Sequence, residues 1–248
     1  MTAAPRRFFF AHVQKAAGTS LFIQLQREFE RDQIYPDASD KVPGPAAVLL
    51  LSHLRERYRL RRERIRVVTG HFPIRARELL GDEFTTLSVV RDPVERTLSS
   101  LRHHQRRTPE DRERPLEELY DDPIRFHGLI HNNLVKMFSL SPDEMLAGDG
   151  LMTHVEDFTP ARLQRAKDQL AQVDVLGIDV RFDDFVEQLR ALFGWRLGPP
   201  THANRTEPID VARSFRTRIA KDNAADVELF AFACELDAKR STRTDRTG

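Results

Sequence analysis

The 248-residue chain has one cysteine, Cys234, one tryptophan and three tyrosines. A single thiol forms no internal disulfide and supplies no thiolate cluster. This excludes a disulfide-stapled scaffold and argues against structural zinc, and it agrees with a reducing compartment. No apolar run approaches the roughly 20 residues of a membrane span. Arg6 and Arg7 precede Phe8-Phe9-Phe10, but His12, Gln14 and Lys15 interrupt the stretch too soon for a signal-peptide core. The expectation is a soluble, cytoplasmic protein. An excess of one charge sign is also missing: 39 Lys and Arg stand against 38 Asp and Glu, a net +1, so no nucleic-acid partner is expected. There is no internal repeat and no low-complexity stretch.

What is present is the patterning of a single domain over residues 1–240, with 241–248 a polar, flexible tail. Phe8 to Val13 is a short apolar run of the kind buried on both faces of a parallel sheet. From Thr19, Leu21, Leu25 and Phe29 recur every four residues, so strand, glycine-bearing loop and helix follow in order. Further strands are expected at Ile65–Thr69, Thr86–Val90 and Val173–Ile178. Amphipathic stretches lie at Ala46–Tyr58, Glu95–His104, Pro123–Leu140, Ala161–Leu170 and Phe182–Phe193. This alternation predicts an α/β fold with a central parallel sheet flanked by helices, and ligands beyond the carboxyl ends of the strands.

The first strand runs into Gln14-Lys15-Ala16-Ala17-Gly18-Thr19-Ser20. Small residues, a lysine and two hydroxyls at a helix start suit an anion, because backbone N–H groups and the helix dipole face it. A lysine is unfavourable there unless an anion is present. The loop is not that of nucleotide triphosphatases, which reads Gly-x-x-x-x-Gly-Lys-Ser/Thr. A second motif is Ser88-Val89-Val90-Arg91-Asp92-Pro93-Val94-Glu95-Arg96-Thr97-Leu98-Ser99. Asp92 can cap a helix that begins at Pro93, leaving Arg91 at the strand end and Ser99 nearly two turns up the helix. A forked guanidinium and a hydroxyl make a suitable pair for a phosphate.

The stretch His12 to Ser20 resembles the 5′-phosphosulfate loop of sulfotransferases, most closely the family that includes heparan sulfate 2-O-sulfotransferase. Gln14 replaces that family's usual proline and Ala16 its usual threonine. The second motif resembles the same family's 3′-phosphate motif. Thr69-Gly70-His71-Phe72-Pro73 is similar to its Gly-His segment, and His131-Asn132-Asn133-Leu134-Val135-Lys136 to its Asn-bearing helix. Val175-Leu176-Gly177 with Phe182-Asp183-Asp184-Phe185 resembles its late strand and helix, and His202-Ala203-Asn204-Arg205 its loop near the nucleotide. The resemblance implies a P-loop-like three-layer fold. It also implies 3′-phosphoadenosine 5′-phosphosulfate (PAPS) as donor, 3′-phosphoadenosine 5′-phosphate (PAP) as product, and a hydroxylated acceptor such as a carbohydrate, glycolipid or small metabolite. No metal is expected.

On this reading Lys15, Ala16, Ala17, Gly18, Thr19, Ser20, Arg91, Ser99 and Asn204 hold the donor. Lys15 also neutralises the leaving oxygen, and His71 is the base. His12, Asn132 and Lys136 are candidates at the acceptor. Other readings stand beside these: His71 or His12 as ordinary turn or packed histidines, Arg91 in an ion pair with Asp92 or Glu95, Thr19 and Ser20 as caps, Asn204 as a turn former and Asn132 as buried polar glue. Seven arginines between His53 and Arg66 read as a solvated helix face or as a track for an acidic acceptor. His103-His104 and His127 lack recognised metal-ligand spacing, and residues 108–122 read as a loop. The competing functions are a nucleotide kinase-like phosphotransferase and a non-catalytic nucleotide-binding scaffold.

Overall fold

The computed structural model describes residues 6–40, 42, 44–199 and 210–244. Five parallel strands form one sheet: β1 (Phe8–Ala11), β2 (Ile34–Tyr35), β3 (Val67–Gly70), β4 (Thr85–Val90) and β5 (Val175–Ile178), in the order β2-β3-β1-β4-β5. The expected α/β architecture is the observed one. β2 is the strand that the sequence pattern does not announce, since two residues carry no periodicity.

Alternate side chains of a strand point to opposite faces, and β1 divides accordingly. Phe9 and Ala11 enter one core with Val68, Leu176 and the helices on that side. Phe8 and Phe10 enter the other with Leu21, Leu25, Val89, Phe185 and Trp195. All four β1 residues are therefore buried, which explains an unbroken apolar run in place of alternation.

Helix α1 (Gly18–Glu28) follows β1. The stretch expected as one helix from Ala46 is two, α2 (Ala46–Leu49) and α3 (Leu51–Arg61), separated by an extended Leu50. The break is fixed from outside. The Leu51 N–H donates to the Asp149 carbonyl at 3.0 Å and the Ser52 N–H to the Asp149 carboxylate at 2.6 Å, so a distant loop caps α3. Helix α4 (Pro93–Arg107) follows β4.

The expected helix over 123–140 is also divided. A π-helical turn spans Phe126–Ile130, Asn132 is left-handed with φ 44°, and a new helix covers Asn133–Ser139. Asp226 caps that helix by accepting from the Leu134 and Val135 N–H groups at 2.9 and 2.8 Å. Asp226 belongs to the helix Ala224–Thr244, which with Arg213–Asp222 closes the chain and runs into the segment read as a tail.

Candidate active site

The strand order places the carboxyl ends of β3 and β4 on either side of β1. His71 follows β3, the loop from His12 follows β1, Arg91 follows β4 and Asp179 follows β5. All of these residues line a cavity of about 960 Å³. This is the crevice in which open parallel sheets bind ligands.

The loop after β1 turns through two left-handed residues, Lys15 (φ 65°) and Ala17 (φ 54°). Between them Ala16 is fully buried and packs into the core, so it does not line the cavity. Left-handed residues alternating with ordinary ones bend successive N–H groups toward a common centre, an arrangement that favours anions. Ala17 is the N-cap of α1 and has no side chain to cap with; Gly18, Thr19 and Ser20, which carry the first-turn amides, line the cavity. Gly18 has a second reason to lack a side chain. A Cβ there would stand 1.6 Å from His12 Nε2, so the imidazole occupies the space beside the helix start.

Asp92 caps α4 as the sequence suggests, accepting from the Val94 and Glu95 N–H groups at 3.0 Å with Pro93 in the first turn. Arg91 is thereby left at the strand end. Its Nη1 donates to the Lys15 carbonyl at 3.1 Å and its Nε lies 3.3 Å from Asp179 Oδ2. Its carboxylate partner is therefore Asp179, whereas Glu95 takes Arg216 at 2.5 Å. Ser99 is buried on α4 with its surface toward the same cavity. Burial, reinforced by Arg91, Arg106 and Arg107, lowers the Lys15 pKa, so the site disfavours its own positive charge until an anion arrives.

His71 Nδ1 lies 2.8 Å from the His12 carbonyl oxygen. A carbonyl only accepts, so the proton resides on Nδ1 and the neutral ring keeps its lone pair on Nε2. Burial pushes the His71 pKa down despite this hydrogen bond, which keeps the ring neutral near pH 7. His12 is lowered further by its burial and by His71 and Lys15, and the two rings lie 4.4 Å apart. The arrangement sets a neutral imidazole with a fixed tautomer beside an anion cradle, which can hold a phosphorylated ligand and accept a proton from a neighbouring hydroxyl.

Other sequence candidates fall elsewhere. Asn132 is buried outside the cavity: its N–H donates to Asn223 Oδ1 at 2.8 Å and its Oδ1 accepts from the Asp226 N–H at 3.0 Å. Lys136 is fully buried, donates to the His127 carbonyl at 2.6 Å and lies over the Phe158 ring. Burial lowers its pKa to about 8. Both hold helix Asn133–Ser139 in place. Asn204 lies outside the described residues. Residues 108–122 form a turn and the helix Leu116–Tyr120, packed on α4, and none lines the cavity. Four of the arginines of α3 and its C-terminal turn pair instead: Arg57 with Asp40, Arg61 with Asp37 and Asp40, Arg62 with Asp82 and Arg64 with Asp32.

Sequence reading missed the extent of the α4 face. His103, His104 and Arg107 continue the line of Ser99 and Ser100 into the cavity. Their spacing of four along a helix was legible and would have found them. Arg125 enters from the next segment. Arg125 is paired with the buried Asp111 behind the lining, and Lys15, Arg91 and Arg107 meet one carboxylate, Asp179, among the described lining residues.

No family model and no curated protein matches the chain. Among solved structures it is similar to a sulfotransferase from Alicyclobacillus acidocaldarius, with 16% identity over 91% of this chain and 94% of that one and a TM-score of 0.46. Likeness of that degree carries no argument about function, which rests on the site itself.

Proposed function

We propose that this chain transfers a sulfuryl group from PAPS to an acceptor hydroxyl. The observation that carries the reading is that Arg91 and Ser99 share one cavity with the Lys15 loop and His71. PAPS bears anionic groups on both its 5′ and 3′ sides, and Lys15 with the α1 amides and Arg91 with Ser99 supply anion-binding groups from two different elements that line one cavity. Lys15 and the start of α1 would take the 5′ phosphosulfate, and Arg91 with Ser99 the 3′-phosphate, an assignment that follows the motif resemblance. Asn204 is proposed at the nucleotide on the same resemblance.

In the transfer the acceptor oxygen forms a bond to sulfur as the bond from sulfur to the 5′-phosphate oxygen breaks, and PAP leaves. The acceptor proton passes to His71 Nε2. Lys15 neutralises charge on the departing phosphate oxygen, and its depressed pKa reflects a position where an anion restores favourable electrostatics. The remaining work is positioning, as in phosphoryl transfer. The acceptor is a hydroxylated compound, with carbohydrate or glycolipid the class that the family resemblance implies.

Thermal unfolding in the presence of PAP, adenosine 5′-phosphate or ATP with magnesium tests the donor site, because a ligand that binds only the folded state raises the midpoint. The largest shift is expected with PAP and a smaller one with PAP in Arg91→Ala. A preference for ATP would put the kinase reading in its place, and no shift with any nucleotide would overturn the donor assignment.

A further inference from the structure

The cavity has two unlike sides, and His71 stands at the apolar one. The cations come from the β1 loop, the end of β4, helix α4 and Arg125. On the β3 side the His71 N–H donates to the Val48 carbonyl at 2.8 Å, which joins the base to α2. The loop that includes Gly150 and Leu151 docks on the same place. The Leu51 N–H bonds to the Asp149 carbonyl at 3.0 Å, and a Cβ on Gly150 would meet the Leu49 carbonyl at 2.6 Å. Next to it, Gly128 lies against Thr153, with a Cβ placed there 3.2 Å from the Thr153 methyl. A continuous wall therefore runs from the base through Val48, Leu49, Leu151 and Met152 to Leu129, and Thr153 supplies its one side-chain hydroxyl.

This wall carries no charge, no amide side chain and no aromatic ring. A bare sugar presented to His71 would lose water from the hydroxyls that face this wall and find there only Thr153 as a side-chain partner. Eight large hydrophobic side chains stand exposed among the described residues, and three of them, Ile124 at 81%, Val180 at 86% and Leu151 at 40%, line this one cavity. Exposed apolar groups gathered at the rim of a cavity mark where an apolar ligand enters or protrudes.

Resting on the proposed transfer reaction, we infer that the acceptor is an amphiphile, a hydroxyl carried on an apolar body that lies along the Val48–Leu49–Leu151–Met152 wall and reaches the rim at Ile124. Among the acceptors the family resemblance implies, this favours lipid-linked hydroxyls over free saccharides.

Calorimetric titration of the PAP-loaded protein with n-octyl β-glucoside, methyl β-glucoside and 1-octanol, each below its micellar or solubility limit, tests this. The first two carry the same ring hydroxyls and differ only in the apolar tail. Octyl glucoside is expected to bind about tenfold or more tighter than methyl glucoside, with 1-octanol also bound. Leu151→Ser and, separately, Leu49→Ser should each weaken octyl glucoside several-fold while leaving the PAP-induced thermal shift intact. Equal affinity for the two glucosides, failure of both octyl compounds to bind, or insensitivity to both substitutions would overturn the inference. If PAP itself produced no shift, the donor reading would fail, while the octyl-over-methyl preference, measured on the protein without nucleotide, would still decide the apolar wall.

Discussion

At the scale of single residues the site depends on hydrogen bonds that fix which atom does what. His71 is held by the His12 carbonyl with Nε2 left as the base, and burial lowers its pKa from the ordinary histidine value. A base with a lowered pKa loses its lone pair only in more acidic solution. The acidic limb of kcat/KM is therefore expected below pH 6.5, with a plateau through neutrality. His71→Ala should reduce kcat by about 10²-fold or more while leaving PAP binding unchanged. Undiminished sulfuryl transfer in that variant would remove His71 from the role. The residue types of this site were legible in the sequence, because Lys15, His71, Arg91 and Ser99 each sit at a strand end or on the first turns of a helix. The partner of Arg91 was not: Asp179 is 88 positions away along the chain and is brought beside it only by the pairing of β4 with β5.

At the scale of elements, the helix that begins at Asn133 is started by a carboxylate from another helix. Asp226 is fully buried, and burial raises its pKa to about 6 although Arg96, the Leu134 and Val135 N–H groups and Lys136 all favour its ionised form. A carboxyl group whose folded pKa is raised binds protons more tightly in the folded state than in the unfolded one. Its contribution favours folding below the unfolded value of 3.8 and is lost as pH rises through about 6. Between pH 4 and pH 7 the stability of the parent protein is thus expected to fall by about 2 kcal/mol relative to Asp226→Asn. Denaturant unfolding of both proteins across that range measures the difference, and a pH-independent difference would show that Asp226 titrates as an ordinary surface acid. No local pattern announces such a cap. Sequence periodicity read 123–140 as one helix, whereas Arg96 donates to the Leu129 and Ile130 carbonyls at 2.9 Å and Asn132 turns left-handed, so the chain breaks where tertiary partners replace the helical ones.

Across the whole molecule the net charge is only +1, yet the described lining of one crevice carries more positive than negative side chains. Arg57, Arg61 and Arg62 are paired with nearby aspartates and Arg125 with Asp111, while Lys15, Arg91 and Arg107 share a cavity whose described lining has Asp179 as its carboxylate. Low-dielectric walls focus that field on an anionic ligand. PAP affinity is expected to fall by about tenfold or more as sodium chloride rises from about 50 to about 500 mM, with adenosine losing nothing. Calorimetry at several salt concentrations checks this, and salt-independent PAP binding would mean that the cations do not carry it. Among the described residues no helix is long and apolar enough to cross a membrane.

Local sequence carries the alternation of buried strands with amphipathic helices, the Asp92 cap that leaves Arg91 at a strand end, and the lysine-bearing loop after β1. All of these are set by interactions between residues a few positions apart, and periodicity and capping chemistry record them directly. Long-range packing sets the rest: the β2-β3-β1-β4-β5 order that gathers four strand ends into one crevice, the tautomer of His71, the breaks at Leu50 and Asn132, and the apolar wall beside the base. Each depends on groups that meet across tens of residues of intervening chain, where loop closure and packing choose the partner and local sequence carries no trace of the choice.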